Sequence, residues 1–193
     1  AAAKKYGATT IIGSTWSPPG NCKTDGTTQS GGHLLESCYE SWATTIANFA
    51  AANDLYAMSA GNEPDYASCA TSKGPPCNDA EYDTTEYTAK EMVAFVKVLG
   101  PKLRAAGVKL IAAEASEWIH TWSNISATGS TVEGKPHSSD PLNCGCFGNS
   151  TTGEVEGTCA PTCLEGNGYD YGHWLAADAE AWGYVDILGV HQY

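Results

Sequence analysis

The chain has 193 residues, 42% of them hydrophobic, with 22 acidic against 10 basic side chains and a formal net charge of −12. That length can bury one core and fits a single domain. The acidic surface repels nucleic-acid phosphates and anionic lipid, so neither is expected as a partner, whereas a neutral substrate is compatible with it. No apolar run approaches the ~20 residues of a membrane helix, and no signal peptide is read at the start.

In chain order, Ala1 to Tyr6 reads as the last turn of a helix feeding a first apolar run, Ala8 to Gly13. Trp16-Ser17-Pro18-Pro19 follows, and then a loop bracketed by Cys22 and Cys38. Trp42, Ile46 and Phe49 recur at helical spacing, and Asn53-Asp54 turns the chain into a second run, Leu55 to Ala60. Beyond it stand Gly61-Asn62-Glu63-Pro64-Asp65-Tyr66 and a loop bracketed by Cys69 and Cys77. Met92, Phe95, Val96, Leu99 and Leu103 mark a second helix, which Pro101 is expected to kink or interrupt. Gly107 leads into the third run, Val108 to Ala113, with Glu114 at its end. From Ala115 to about Gly172 extends a long loop holding Trp118, Trp122, Cys144, Cys146, Cys159 and Cys163. A third helical stretch carries Trp174, Leu175, Ala181 and Trp182. Gly183-Tyr184 precedes the fourth run, Val185 to Val190, and His191-Gln192-Tyr193 closes the chain.

Four continuous apolar runs bounded by turn residues fit strands of a parallel sheet covered on both faces. Helices pass into strands through very short connections, while strands pass into long loops rich in Gly, Pro, Ser, Thr and Cys. That asymmetry is the mark of an α/β fold of the (β/α)8 TIM-barrel type, with function on the long-loop side. An open doubly wound sheet alternates similarly, but no Gly-x-Gly-x-x-Gly and no Walker loop follows any strand. Four βα units make about half a barrel. We read residues 1–193 as one partial barrel domain with a cysteine-rich loop insertion at about 123–170.

Eight cysteines in so short a chain point to an oxidising compartment and a secreted protein. Pairing inside local loops restricts the unfolded chain, which predicts Cys22–Cys38, Cys69–Cys77 and two bonds among Cys144, Cys146, Cys159 and Cys163. Zinc is the competing reading of the last four, but their spacings are not the two-residue knuckle of zinc sites. None of the histidines forms a His-Glu-x-x-His pair, and no Gly-x-Ser-x-Gly elbow is present, so neither a metal, a cofactor nor a serine nucleophile is expected.

Glu63 directly follows the second strand, which puts it at the C-terminal mouth of the sheet. Cleaving a glycosidic bond needs a carboxylic acid that protonates the leaving oxygen and, in a retaining enzyme, then activates water. Asn62 supplies an amide for a sugar hydroxyl or for orienting a carboxylate, and Pro64 stiffens the turn. Trp16, Tyr66, Trp118, Trp122 and Tyr193 all follow strand ends, where flat rings can stack on the C–H faces of sugars. For Trp122 a place in the core is the better reading.

With these residues on view, the chain resembles glycoside hydrolase family 30, a family of the large retaining-glycosidase clan. Asn62-Glu63-Pro64 looks like the clan's acid/base signature on the fourth barrel strand. Trp16-Ser-Pro-Pro and His191-Gln192-Tyr193 look like family motifs after the third and sixth strands. The resemblance leaves out the cysteine-rich stretch. It implies that Glu63 is the catalytic acid/base, that Trp16 and Tyr193 bind substrate with Glu114 as a pocket residue, and that the nucleophile is a Glu on a seventh strand that this chain does not contain. Asn62, Tyr66, Trp118 and His191 are read as further substrate-binding residues from their places at the strand ends. Glu114 as nucleophile is the less favoured alternative. The implied activity is a secreted retaining endo-β-glycosidase acting on a plant-type β-linked polysaccharide, most of all xylan in its glucuronoxylan form. A β-1,6-glucanase or galactanase of the same family is an alternative, and so is a non-catalytic carbohydrate-binding half barrel. Both chain ends are expected to fall inside a larger domain, the rest of the barrel being needed for activity.

Overall fold

The computed structural model describes residues 2–29, 32–65, 83–116, 121 and 169–191. Tyr66, Trp118, Trp122, Tyr193, Cys69, Cys77, Cys144, Cys146, Cys159, Cys163 and nearly all of the expected insertion lie outside them. Among the described residues the helices are α1 (Ala2–Lys5), α2 (Tyr39–Ala52), α3 (Ala89–Ala105), α4 (Tyr171–Ala177) and α5 (Ala179–Trp182). The strands are β1 (Ile12–Gly13), β2 (Ala57–Ser59), β3 (Lys109–Ala115) and β4 (Ile187–Val190). They form one four-stranded sheet in the order β1-β2-β3-β4, with every neighbouring pair parallel.

Parallel neighbours need a crossover between them, and the helices supply it. β2 is buried along its length and β3 nearly so, because each has a strand on both sides and helices against it. The outer strands are less covered: β4 is half-buried throughout, and Ile12 in β1 is 57% exposed. The ladders are accordingly shorter than the apolar runs. Of the first run only Ile12 and Gly13 join the ladder, although Ile11 still accepts a hydrogen bond from Tyr56 N at 2.8 Å.

The apolar spacing in α3 buries Met92, Phe95, Val96, Leu99 and Leu103 completely. Phe95 is the centre of this layer, edge-on to Tyr39 of α2 at 5.3 Å and stacked on Tyr87 at 5.6 Å. Thr88 caps the helix: its hydroxyl accepts from Glu91 N at 3.2 Å, and the Glu91 carboxylate accepts from Thr88 N at 2.8 Å. Of the two expected effects, a kink or an interruption, the interruption does not occur: α3 runs past Pro101 to Ala105. Pro101 lies on the exposed face. Leu99 and Leu103 on the opposite face anchor the last turns in the core. Gly107 then takes a left-handed φ of +71° and turns the chain into β3. The third helical stretch, by contrast, is not continuous. At Asp178 the backbone becomes extended, and its carboxylate accepts from Glu180 N and Ala181 N to start α5 afresh.

The loop between β1 and α2 is closed by the expected Cys22–Cys38 disulfide, with Cα atoms 5.6 Å apart. It is tied to α3 through His33, whose Nδ1 lies 2.9 Å from Glu91 Oε2, the same carboxylate that caps the helix. His33 Nε2 lies 3.6 Å from Glu86 Oε2, and Glu86 also accepts from Tyr169 OH at 2.9 Å. The Glu91 hydrogen bond outweighs burial and, with Glu86 and Asp25 nearby, raises the His33 pKa above its ordinary 6.5. A raised folded pKa means that the imidazolium contributes stability in full below about 6.5 and loses it as pH rises through the folded value. The stability difference between the protein and its His33→Gln variant should therefore be largest near pH 5.5 and shrink by pH 8.5. Urea midpoints at the two pH values check this, and a difference that does not change between them contradicts it.

Candidate functional site

The C-terminal ends of all four strands converge on one cluster of polar side chains. After β2 the chain turns sharply, and Glu63 sits in it with φ +44°, a left-handed conformation that non-glycine residues rarely adopt and that costs about 1–3 kcal/mol. The turn is held from several sides. Asn62 N donates to Thr15 O at 2.7 Å, Glu63 N to Glu114 O at 3.0 Å, and Tyr87 N to Pro64 O at 3.1 Å. Glu63 is 8% exposed.

Glu114 comes from an irregularity in β3. The register with β4 shifts between Ala112 and Ala115, and Ala113 takes φ +70°. This bulge turns the Glu114 side chain toward the end of the sheet, an ordinary use of bulges near sites. β4 approaches the bulge closely because residue 189 is glycine: a Cβ there would lie 2.9 Å from Ile111 Cγ2 and 3.1 Å from Glu114 Cα. The close approach lets His191 N donate to Ala115 O at 2.8 Å and fixes where the imidazole emerges.

The imidazole stands between the two carboxylates. Nδ1 is 2.7 Å from Glu63 Oε1, and Nε2 is 3.4 Å from Glu114 Oε1. Burial alone would lower the His191 pKa, but the hydrogen bonds to Glu63 and Glu114 and the charges of both more than offset it, and the net shift is upward. The ring therefore keeps its proton to higher pH than a free imidazole and can hold both carboxylates in fixed orientations. Ser14, just past β1, donates to Glu114 Oε2 at 2.6 Å, so Glu114 is gripped at both oxygens.

Of the sequence-selected residues, the structure brings Glu63, Asn62, Glu114 and His191 together. Trp16 follows β1 and is 49% exposed, a large flat ring at the same end of the sheet. Tyr66, Trp118 and Tyr193 fall outside the described residues. Ser14 was not picked out by sequence reasoning, although its place directly after a strand was available as a signal. Asp65 is not picked out by sequence reasoning as a site residue. Its carboxylate accepts from Ser116 N at 2.8 and 3.1 Å and from Ser116 Oγ at 2.7 Å. Among the described residues no group of three or more His, Cys, Asp or Glu is arranged to hold a metal.

Chemically, the cluster offers a largely buried carboxyl held by an imidazole, a second carboxyl beside it, and an exposed indole near the rim. Such a set can transfer a proton at an oxygen and bind a hydroxyl-rich ligand with an apolar face.

No family model matches the chain, and no curated protein matches it. Solved structures do. The catalytic domain of xylanase C from Talaromyces cellulolyticus, a family 30 glycoside hydrolase, superposes with TM-score 0.59 at 17% identity over 99% of this chain and 34% of its own. The family 30 subfamily 8 xylanase Xyn30A from Clostridium acetobutylicum gives 0.54 at 24%, over 95% of this chain and 33% of its own. A family 30 endoxylanase from Clostridium papyrosolvens C71 gives 0.54 at 20%, over 99% and 34%. The likeness is one of fold, and the chain spans about a third of the length of these structures.

Proposed function

We propose that the chain is four βα units of a (β/α)8 barrel that hydrolyses a β-linked polysaccharide with retention, with Glu63 as acid/base and xylan as the substrate. The observation that carries this reading is the Glu63–His191–Glu114 array at the C-terminal end of a parallel sheet, where barrel enzymes keep their chemistry. Glu63 protonates the departing sugar oxygen and then takes a proton from the attacking water. His191 orients the Glu63 carboxyl through Nδ1. Asn62 meets a sugar hydroxyl, His191 lines the sugar site while holding the two carboxylates, and Trp16 stacks on a sugar face, joined by Tyr66, Trp118 and Tyr193. Glu114 is a pocket residue and not the nucleophile. Its shared imidazole fills the space between it and Glu63 in which the scissile bond of a retaining pair would have to lie. The nucleophile comes from a strand in the rest of the barrel. The disulfide at Cys22–Cys38 supports secretion, since such bonds persist in oxidising compartments.

The test is hydrolysis by the full-length parent polypeptide of glucuronoxylan, β-1,6-glucan and β-1,6-galactan side by side, with proton NMR of the first product. Release of β-configured xylo-oligosaccharides is expected. Cleavage of only the 1,6-linked polymers would move the substrate and keep the mechanism. Binding of xylan without cleavage of any of the three would support a carbohydrate-binding module instead.

A further inference from the structure

The turn that carries Glu63 and the bulge that carries Glu114 are both strained, with φ +44° at Glu63 and +70° at Ala113. Strained backbone persists only where its surroundings over-determine it. One side chain spans the two. Asp65 lies two residues after Glu63, and Ser116 lies two residues after Glu114. The Asp65 carboxylate, 4% exposed, takes both the amide and the hydroxyl of Ser116. Together with Glu63 N to Glu114 O at 3.0 Å, this closes a small ring of backbone and side chain around the two glutamates. Charge-assisted hydrogen bonds to a buried carboxylate are the strong kind, and their loss leaves a buried amide without its acceptor.

We infer that Asp65 is a positioning residue: by clamping Ser116 it fixes the Glu63 turn against the Glu114 bulge and so sets the placement of both carboxylates on the His191 imidazole. Its catalytic meaning rests on the glycosidase reading above, but the clamp itself does not. Asp65 needs no contact with substrate. It acts through the backbone on either side of it. Ser116 is the counterpart, and its hydroxyl is the smaller part of the clamp because the backbone amide remains when the hydroxyl is removed.

The experiment reads the His191 titration by NMR and the hydrogen exchange of the Glu63 amide in wild type, Asp65→Asn, Ser116→Ala and Glu63→Gln. Asp65→Asn keeps the shape but withdraws the charge. Its Glu63 amide should exchange at least tenfold faster and its His191 midpoint should fall toward that of Glu63→Gln, while amides in the core of α3 keep their protection. Ser116→Ala should shift both readouts in the same direction by less. A His191 midpoint and a Glu63 amide unchanged in Asp65→Asn overturn the inference, as does equal loss of protection throughout α3, which would mark Asp65 as merely structural. Should Asp65→Asn fail to fold, Ser116→Ala decides by the same two readouts. Neither readout depends on turnover. An inactive parent with a responsive His191 would therefore remove the glycosidase reading and leave the clamp, and full activity with an unmoved His191 would do the reverse.

Discussion

Glu63→Gln in the full-length parent should cut polysaccharide hydrolysis by ~10²–10⁴-fold, the usual size of an acid/base contribution. Gln keeps the shape and can still accept from His191, whose Nδ1 stands 2.7 Å away, so the change removes the proton and the carboxylate charge but not the hydrogen bond. The loss should depend on the leaving group. A sugar alkoxide departs poorly without protonation, so xylan cleavage takes the full penalty. An activated aryl glycoside departs unaided, and its first step should be much less affected. Its second step still needs a base, so the covalent intermediate should accumulate as a burst. Loss of a nucleophile would instead abolish both reactions and give no burst.

Phe95→Ala should destabilise the fold by about 3–5 kcal/mol, the range for emptying a buried phenylalanine site. That is about a fifth or more of the roughly 5–15 kcal/mol that holds most domains folded. Phe95 is fully buried and touches two aromatic rings, Tyr39 at 5.3 Å and Tyr87 at 5.6 Å, so little can collapse into the gap. The damage should reach the site as well. Tyr87 N holds Pro64 O at 3.1 Å, directly after Glu63, and Tyr87 Cε2 would lie 3.2 Å from a Cβ at residue 61. Urea denaturation of wild type and variant measures the effect, and a loss below about 1 kcal/mol would show that Phe95 is not the centre of this layer.

What could be read in advance followed physical period and position. The runs at 55–60 and 108–113 were visible because strands covered on both faces are continuously apolar. The spacing of Met92, Phe95, Val96, Leu99 and Leu103 was visible because one face of a helix repeats. Glu63, Glu114 and His191 could be placed at one end of the sheet because each stands at or just past the end of an apolar run. The expected interruption at Pro101 does not occur, and the breaking rule takes no account of which face the proline occupies. Of the first apolar run only Ile12 and Gly13 join the ladder, since an apolar run marks burial and not the length over which backbones pair. Ser14 to Glu114 and Asp65 to Ser116 join residues 100 and 51 positions apart. Such pairs depend on strand register and on the Ala113 bulge, neither of which has a local sequence signal.

Azide is the sharpest probe of Glu63 as acid/base. It attacks a glycosyl-enzyme intermediate without needing a base, so it should restore turnover of an aryl β-xyloside by Glu63→Gln and yield the β-glycosyl azide. Equal loss on aryl and polymeric substrates, with no rescue by azide and no azide adduct, would take the acid/base role away from Glu63 and reopen the role of Glu114.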